Sequence, residues 1–99
     1  MRIRVERTLE DNLWKIYLSL PAGDRARFKA GGEMCAATLR DLLEKRSVKP
    51  RQALHPISRW LKLIPHVLWA FLYQEAKIKT DKFMRLHKEH QEGKTNEIA

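Results

Sequence analysis

Apolar side chains return every three or four positions along most of this chain, the repeat of a helix that buries one face. In "RTLEDNLWKIYLSLP", Leu9, Leu13, Ile16, Tyr17 and Leu20 fall on one such face. Thr8, with Asp11 further along the first turn, gives the segment an N-terminal capping arrangement, and Pro21 stops it. Ahead of it, Ile3 and Val5 alternate with arginines. A lone strand would have nothing to pair with, so this alternation predicts an arm or an early helical turn.

The next segment, "AGDRARFKAGG", reads as a short helix. Asp24 suits the dipole at its start, and Gly31-Gly32 closes it. "EMCAATLRDLLEKR" reads as a separate helix with Cys35, Leu39, Leu42 and Leu43 as its stripe and Lys45-Arg46 at its C-terminal end. "SVKP" is a linker. Pro56 fits poorly inside a helix, so a further short helix is expected to begin near it. That helix offers Ile57, Trp60, Leu61 and Ile64 inward, and Pro65 separates it from the longest element, His66 to His90. The long element presents Leu68, Leu72, Ala76, Lys79, Phe83 and Leu86 near one face. Its start, "VLWAFLY", is apolar all round and reads as buried on several sides. The expected architecture is all-α, a compact bundle of about five helices forming one domain over residues 1–91, with a flexible polar tail at 92–99.

At 99 residues the chain has room for one domain with a thin core. One cysteine, Cys35, excludes an internal disulfide and fits a reducing compartment. "MRIRVERTLED" has no apolar run of the signal-peptide kind, and "VLWAFLY" is too short to span a bilayer. A cytoplasmic location is the expectation.

Charge changes the picture most. The formal net charge is +8. Residues 34–66 carry seven basic and two acidic side chains, a net +5, against +2 before them and +1 after. Between Glu44 and Glu75 there is no carboxylate, but there are six cations: Lys45, Arg46, Lys49, Arg51, Arg59 and Lys62. A local field of one sign attracts polyanions, of which nucleic acid is the commonest. The bland alternative is a solvated basic surface. The candidate phosphate-contacting set is Lys49, Arg51, Arg59 and Lys62. Lys82, Arg85 and Lys88 are secondary, because Asp81 and Glu89 share their helix. No Asn, Gln and Arg pattern of a base-reading helix stands out, so the expected binding is backbone-directed.

Candidate chemistry is sparse. His87 and His90 share a helix face with Glu89 nearby, but a zinc site needs three or four ligands and Cys35 is the only thiol. Cys35 lies on an apolar stripe and reads as a small buried hydrophobe. Gly31-Gly32 has neither the preceding strand nor the following Lys-Ser/Thr of a phosphate loop. Neither enzyme activity, a metal nor a cofactor is expected. Trp14 and Trp69 read as core. Trp60 lies between Arg59 and Lys62, where it could stack on a base, but its spacing from Ile57 and Ile64 favours core.

The stretch "LWKIYLSLPAGDRARFKAGG" joins an aromatic amphipathic helix, a break and a short polar-basic segment, and helices with dispersed lysines and arginines follow. In this it resembles the small-subunit family of CRISPR Cascade effector complexes, over Leu13 to Tyr73. The resemblance implies a non-catalytic subunit, several copies of which stack along the complex beside its other subunits. Its basic face would contact the backbone of the crRNA–target hybrid or the displaced DNA strand, while guide pairing supplies specificity. The chain lacks the full second bundle of longer family members. Two other readings remain: a free-standing helical DNA-binding regulator, with a helix-turn-helix over "PAGDRARFKAGGEMCAATLRDLL", and a helical adaptor for an acidic protein.

Overall fold

A computed structural model of the chain describes residues 2–65 and 69–98, with side chains described over 4–65 and 69–93. Five helices follow one another: α1 (Arg2–Glu10), α2 (Trp14–Ser19), α3 (Ala22–Leu43), α4 (Pro50–Leu61) and α5 (Trp69–Ile98). Among the described residues there is no strand. The expected all-α bundle is the observed one, with α5 packed mainly along α4 and also against α1 and α3.

The first helix starts earlier, and ends sooner, than the sequence pattern predicts. Val5 and Leu9 are both buried, one turn apart, so the Ile3-Val5 alternation belongs to a helix rather than an arm. Thr8 is not a cap. It lies inside α1, and its hydroxyl donates to the Arg4 carbonyl at 3.0 Å. The break falls at Asn12, whose φ of 64° places it in the left-handed region that Asn tolerates better than most residues. Leu13 N–H donates to the Glu10 carbonyl across this turn, at 3.0 Å. The chain then re-enters a helix so short that Trp14 is left 68% exposed, against the expectation that it packs in the core.

Gly31-Gly32 does not close a helix. It lies inside α3, which runs unbroken for 22 residues. Two glycines in a helix interior each cost about 1 kcal/mol relative to Ala. The compensation is a close approach. A Cβ on Gly31 would lie 2.7 Å from Leu63 Cδ1 and 3.1 Å from Trp60 Cδ1, and one on Gly32 would lie 3.1 Å from Trp60 Nε1. The missing side chains admit the Trp60 indole. It stacks on Phe28 at 4.7 Å between ring centroids and donates its N–H to the Phe28 carbonyl at 2.9 Å. Trp60 is therefore core, as its spacing favoured. The unbroken α3 also removes the turn that a helix-turn-helix would need here.

Helix α4 begins at Pro50, not near Pro56. Proline at the first helical position costs nothing there, since that N–H has no partner within the helix. Gln52 reinforces the start by accepting the Lys49 backbone N–H at 2.8 Å. Pro56 lies inside the helix on its half-buried flank, and Ala53, Ile57, Trp60 and Leu61 are buried on the inner face.

The expected start of the last element at His66, and Leu68 on its face, lie outside the described residues. From Trp69 the helix runs to Ile98, so residues 92–98 of the expected 92–99 tail are helical, and Ala99 lies outside the described residues. "VLWAFLY" is not buried on several sides where it is described: Trp69 is 70% exposed and Tyr73 is also exposed. The far end of α5 satisfies groups that α3 leaves open. Gln91 Nε2 donates to the Leu43 carbonyl and His87 Nε2–H to the Lys45 carbonyl, each at 2.7 Å. The Leu43 carbonyl is an orphan of the α3 C-terminus and Lys45 lies just past its end, so both are capped from a neighbouring helix.

Candidate nucleic-acid interface

Helix α4 sorts its residues cleanly. At about 100° per residue, Arg51, His55, Arg59 and Lys62 fall within about 80° of arc on the side opposite the buried Ala53, Ile57 and Trp60. All four are exposed, and Lys49, at the N-terminal boundary, is exposed too. Arg51 and Arg59 are separated by about 12 Å along the axis. Among the described residues, none of Lys49, Arg51, Arg59 and Lys62 takes part in an ion pair. Three of the four sequence-predicted residues, Arg51, Arg59 and Lys62, thus share one outward face, with Lys49 exposed at its N-terminal end. The acid-free segment accounts for the lack of ion pairs among the described residues there: no carboxylate lies near enough in sequence to pair along the helix.

The secondary set is divided. Lys82 and Arg85 line a cleft of about 350 Å³ between α1 and α5, together with Arg4 and Arg7. Lys88 is exposed and does not line it. Two of the four cations in the cleft are already paired, Lys82 with Asp11 and Arg4 with Glu89, the latter at 2.7 Å. Lys82 therefore departs from the expectation of a free phosphate contact. Its hydrogen bond holds the Asp11 carboxyl below its ordinary 3.8, so this pair stays intact above that pH and is lost only as pH falls further. Arg7 and Arg85 have no ion-pair partner among the described residues. Arg4 and Arg7 were not singled out from the sequence. Their signal was present in "RIRVER", where the two arginines are one helical turn apart, but it is visible only once that segment is known to be helical.

A further cation has left the surface altogether. Lys79 is 1% exposed and Glu75, one turn earlier on α5, is also buried. Lys79 Nζ donates to Glu75 Oε1 at 3.3 Å and to the Asp11 backbone carbonyl at 2.6 Å, where α1 ends. Burial pulls the Lys79 pKa down, and Glu75 draws it back up. This ammonium serves the fold rather than a ligand.

The candidate chemical groups are also placed. Cys35 is buried, which pushes its thiol up to about 12 and leaves it unreactive at neutral pH. His87 is taken by the Lys45 carbonyl, and His90 meets Glu44 at 2.9 Å. Among the described residues, no three His, Cys, Asp or Glu side chains gather as a metal site. His66 lies outside the described residues. No helix among them is long and apolar enough to cross a membrane. Comparison of the chain with family models, with curated proteins and with solved structures finds no match.

Proposed function

We propose that this protein is a non-catalytic nucleic-acid-binding subunit that holds a phosphate backbone along the outer face of α4. The observation that carries the reading is the row Arg51, Arg59 and Lys62, exposed, in no ion pair among the described residues and set in a stretch of sequence without a carboxylate. Long cations on a rigid helix suit phosphates and carry no sequence information of their own. Arg7 and Arg85 supply a second basic surface, in the α1–α5 cleft. The resemblance over Leu13 to Tyr73 supplies the biological setting. In that setting the chain is a small subunit of a CRISPR RNA-guided surveillance complex in the cytoplasm, and it contacts the crRNA–target hybrid or the displaced DNA strand.

Binding to single-stranded or hybrid nucleic acid is expected to be weak, indifferent to sequence and steeply dependent on salt. Each neutralised phosphate adds about 0.7 to 0.9 to the slope of log affinity against log salt. Fluorescence anisotropy across a salt series reads this directly. A flat response, or no binding at low ionic strength, removes the nucleic-acid reading.

The same reading expects self-association or contact with a neighbouring subunit. Trp69 and Tyr73 are exposed and stacked on each other at 5.4 Å, an aromatic patch that an isolated monomer leaves wet. Light scattering after size exclusion is expected to show a concentration-dependent rise in mass that Trp69→Ser/Tyr73→Ser abolishes. A strictly monomeric species that also ignores co-expressed neighbours counts against it.

A further inference from the structure

Between α1, α2 and α3 the surface chemistry reverses. A groove of about 380 Å³ opens there. Phe28 and Trp60, both buried, form its floor, and Trp14 and Tyr17, whose rings stack at 6.4 Å between centroids, form a wall. The rim carries Glu6, Glu10 and Glu33 against a single Lys29. Glu6 is engaged by Arg40 at 3.7 Å. Glu10 and Glu33 are exposed, and among the described residues neither carboxylate has a partner. In a chain of net charge +8, two uncommitted carboxylates beside an aromatic groove form a local exception.

We propose that this groove binds a small organic cation with an alkylated ammonium head. Aromatic faces attract cations through the ring quadrupole, and alkylated ammonium is the form least costly to take out of water. The protein already uses this attraction on the neighbouring ring surface, where the Arg25 guanidinium lies 6.0 Å from the Tyr17 centroid. Glu10 and Glu33 complement the ligand's charge at the rim. Size sets the class of occupant. The volume falls in the range of small-ligand sites, whereas a docking helix is about 10–12 Å across. Nothing in this proposal depends on the nucleic-acid reading of α4.

The three tryptophans supply the test. Trp14 and Trp60 line the groove and Trp69 does not. Choline, titrated against ¹⁵N-labelled protein, is expected to shift the indole N–H signals of Trp14 and Trp60 saturably and to leave that of Trp69 in place. Its neutral carbon isostere, 3,3-dimethylbutan-1-ol, is expected to bind about tenfold more weakly. Glu10→Gln/Glu33→Gln is expected to weaken choline by a similar factor while leaving the circular dichroism unchanged, since both side chains are on the exposed rim. Equal binding of the isostere would make the groove a merely apolar one and overturn the proposal. So would an absence of saturation, an equal response at Trp69, or a Gln variant that binds choline as before. Shifts that follow protein concentration instead of choline would put a second copy in the groove, with the same consequence.

Discussion

Replacing Lys79 by methionine is expected to destabilise the fold by about 3–5 kcal/mol, the usual loss when one member of a buried ion pair is removed. Methionine fills much of the same space, so packing is not the main cause. The cause is what remains: a Glu75 carboxylate buried without its counter-charge, and an Asp11 carbonyl at the end of α1 without its donor. Lys79→Met/Glu75→Leu is expected to regain most of the stability, because an apolar pair no longer has to be desolvated. Urea unfolding of the single and double variants measures both effects. A neutral Lys79→Met, or a double variant as unstable as the single, would show that the pair is not buried as described.

Trp60→Ala is the second large effect, about 3–5 kcal/mol as for other buried aromatics truncated to alanine. It removes the stack on Phe28 and the indole hydrogen bond to the Phe28 carbonyl, and it empties the slot over Gly31 and Gly32. The glycines give this prediction a signature. In the wild type, Gly32→Ala has to displace the indole, because its Cβ would meet three ring atoms at 3.1 to 3.2 Å. The crowding outweighs the better helix propensity, and the variant loses stability. In the Trp60→Ala background the crowding is gone and the propensity remains, so the same substitution stabilises by up to about 1 kcal/mol. A double-mutant cycle by thermal or urea unfolding reads the change of sign. Gly32→Ala behaving alike in both backgrounds would mean that the indole does not occupy the slot.

The sequence was most legible where one rule acted alone. The stripe Cys35, Leu39, Leu42 and Leu43 and the inward face Ile57, Trp60, Leu61 and Ile64 are buried as their spacing required. It misled where a local signal competed with a tertiary one. Gly31-Gly32 is an ordinary helix stop in isolation, and only the indole from a helix 28 residues further on makes it a packing slot. Pro56 looked like a beginning because a proline inside a helix is costly, yet Pro50 was the better start and the inner face of α4 is held by burial. Trp14 and Trp69 looked like core because large aromatics usually are, but α2 is too short and the start of α5 too uncovered to bury them. Lys79 was legible as a member of the apolar face. Its partner, a carbonyl at residue 11, was not, since backbone acceptors leave no trace in sequence.

For the candidate interface, the pairing of Arg59 with Lys62 and the missing carboxylates were readable in one dimension, whereas the place of Arg51 in the same row needed α4 to begin at Pro50. The pairing of Lys82 with Asp11 across 71 positions, and the convergence of Arg4 and Arg7 on Arg85, needed the fold.

The central claim is that α4 is the principal phosphate-binding face. Its most direct test compares Arg59→Ala/Lys62→Ala with Arg7→Ala/Arg85→Ala, two variants that remove the same amount of charge from different faces. Circular dichroism is expected to be unchanged in both, as surface substitutions usually shift stability by only about 0.5 kcal/mol. Anisotropy with single-stranded DNA and with an RNA–DNA hybrid, across a salt series, is the measurement. The account predicts that the α4 variant loses more affinity for every sequence alike, and that its salt slope falls by about 1.4 to 1.8, two contacts' worth. A larger loss from Arg7→Ala/Arg85→Ala would move the interface to the α1–α5 cleft and contradict the assignment of α4.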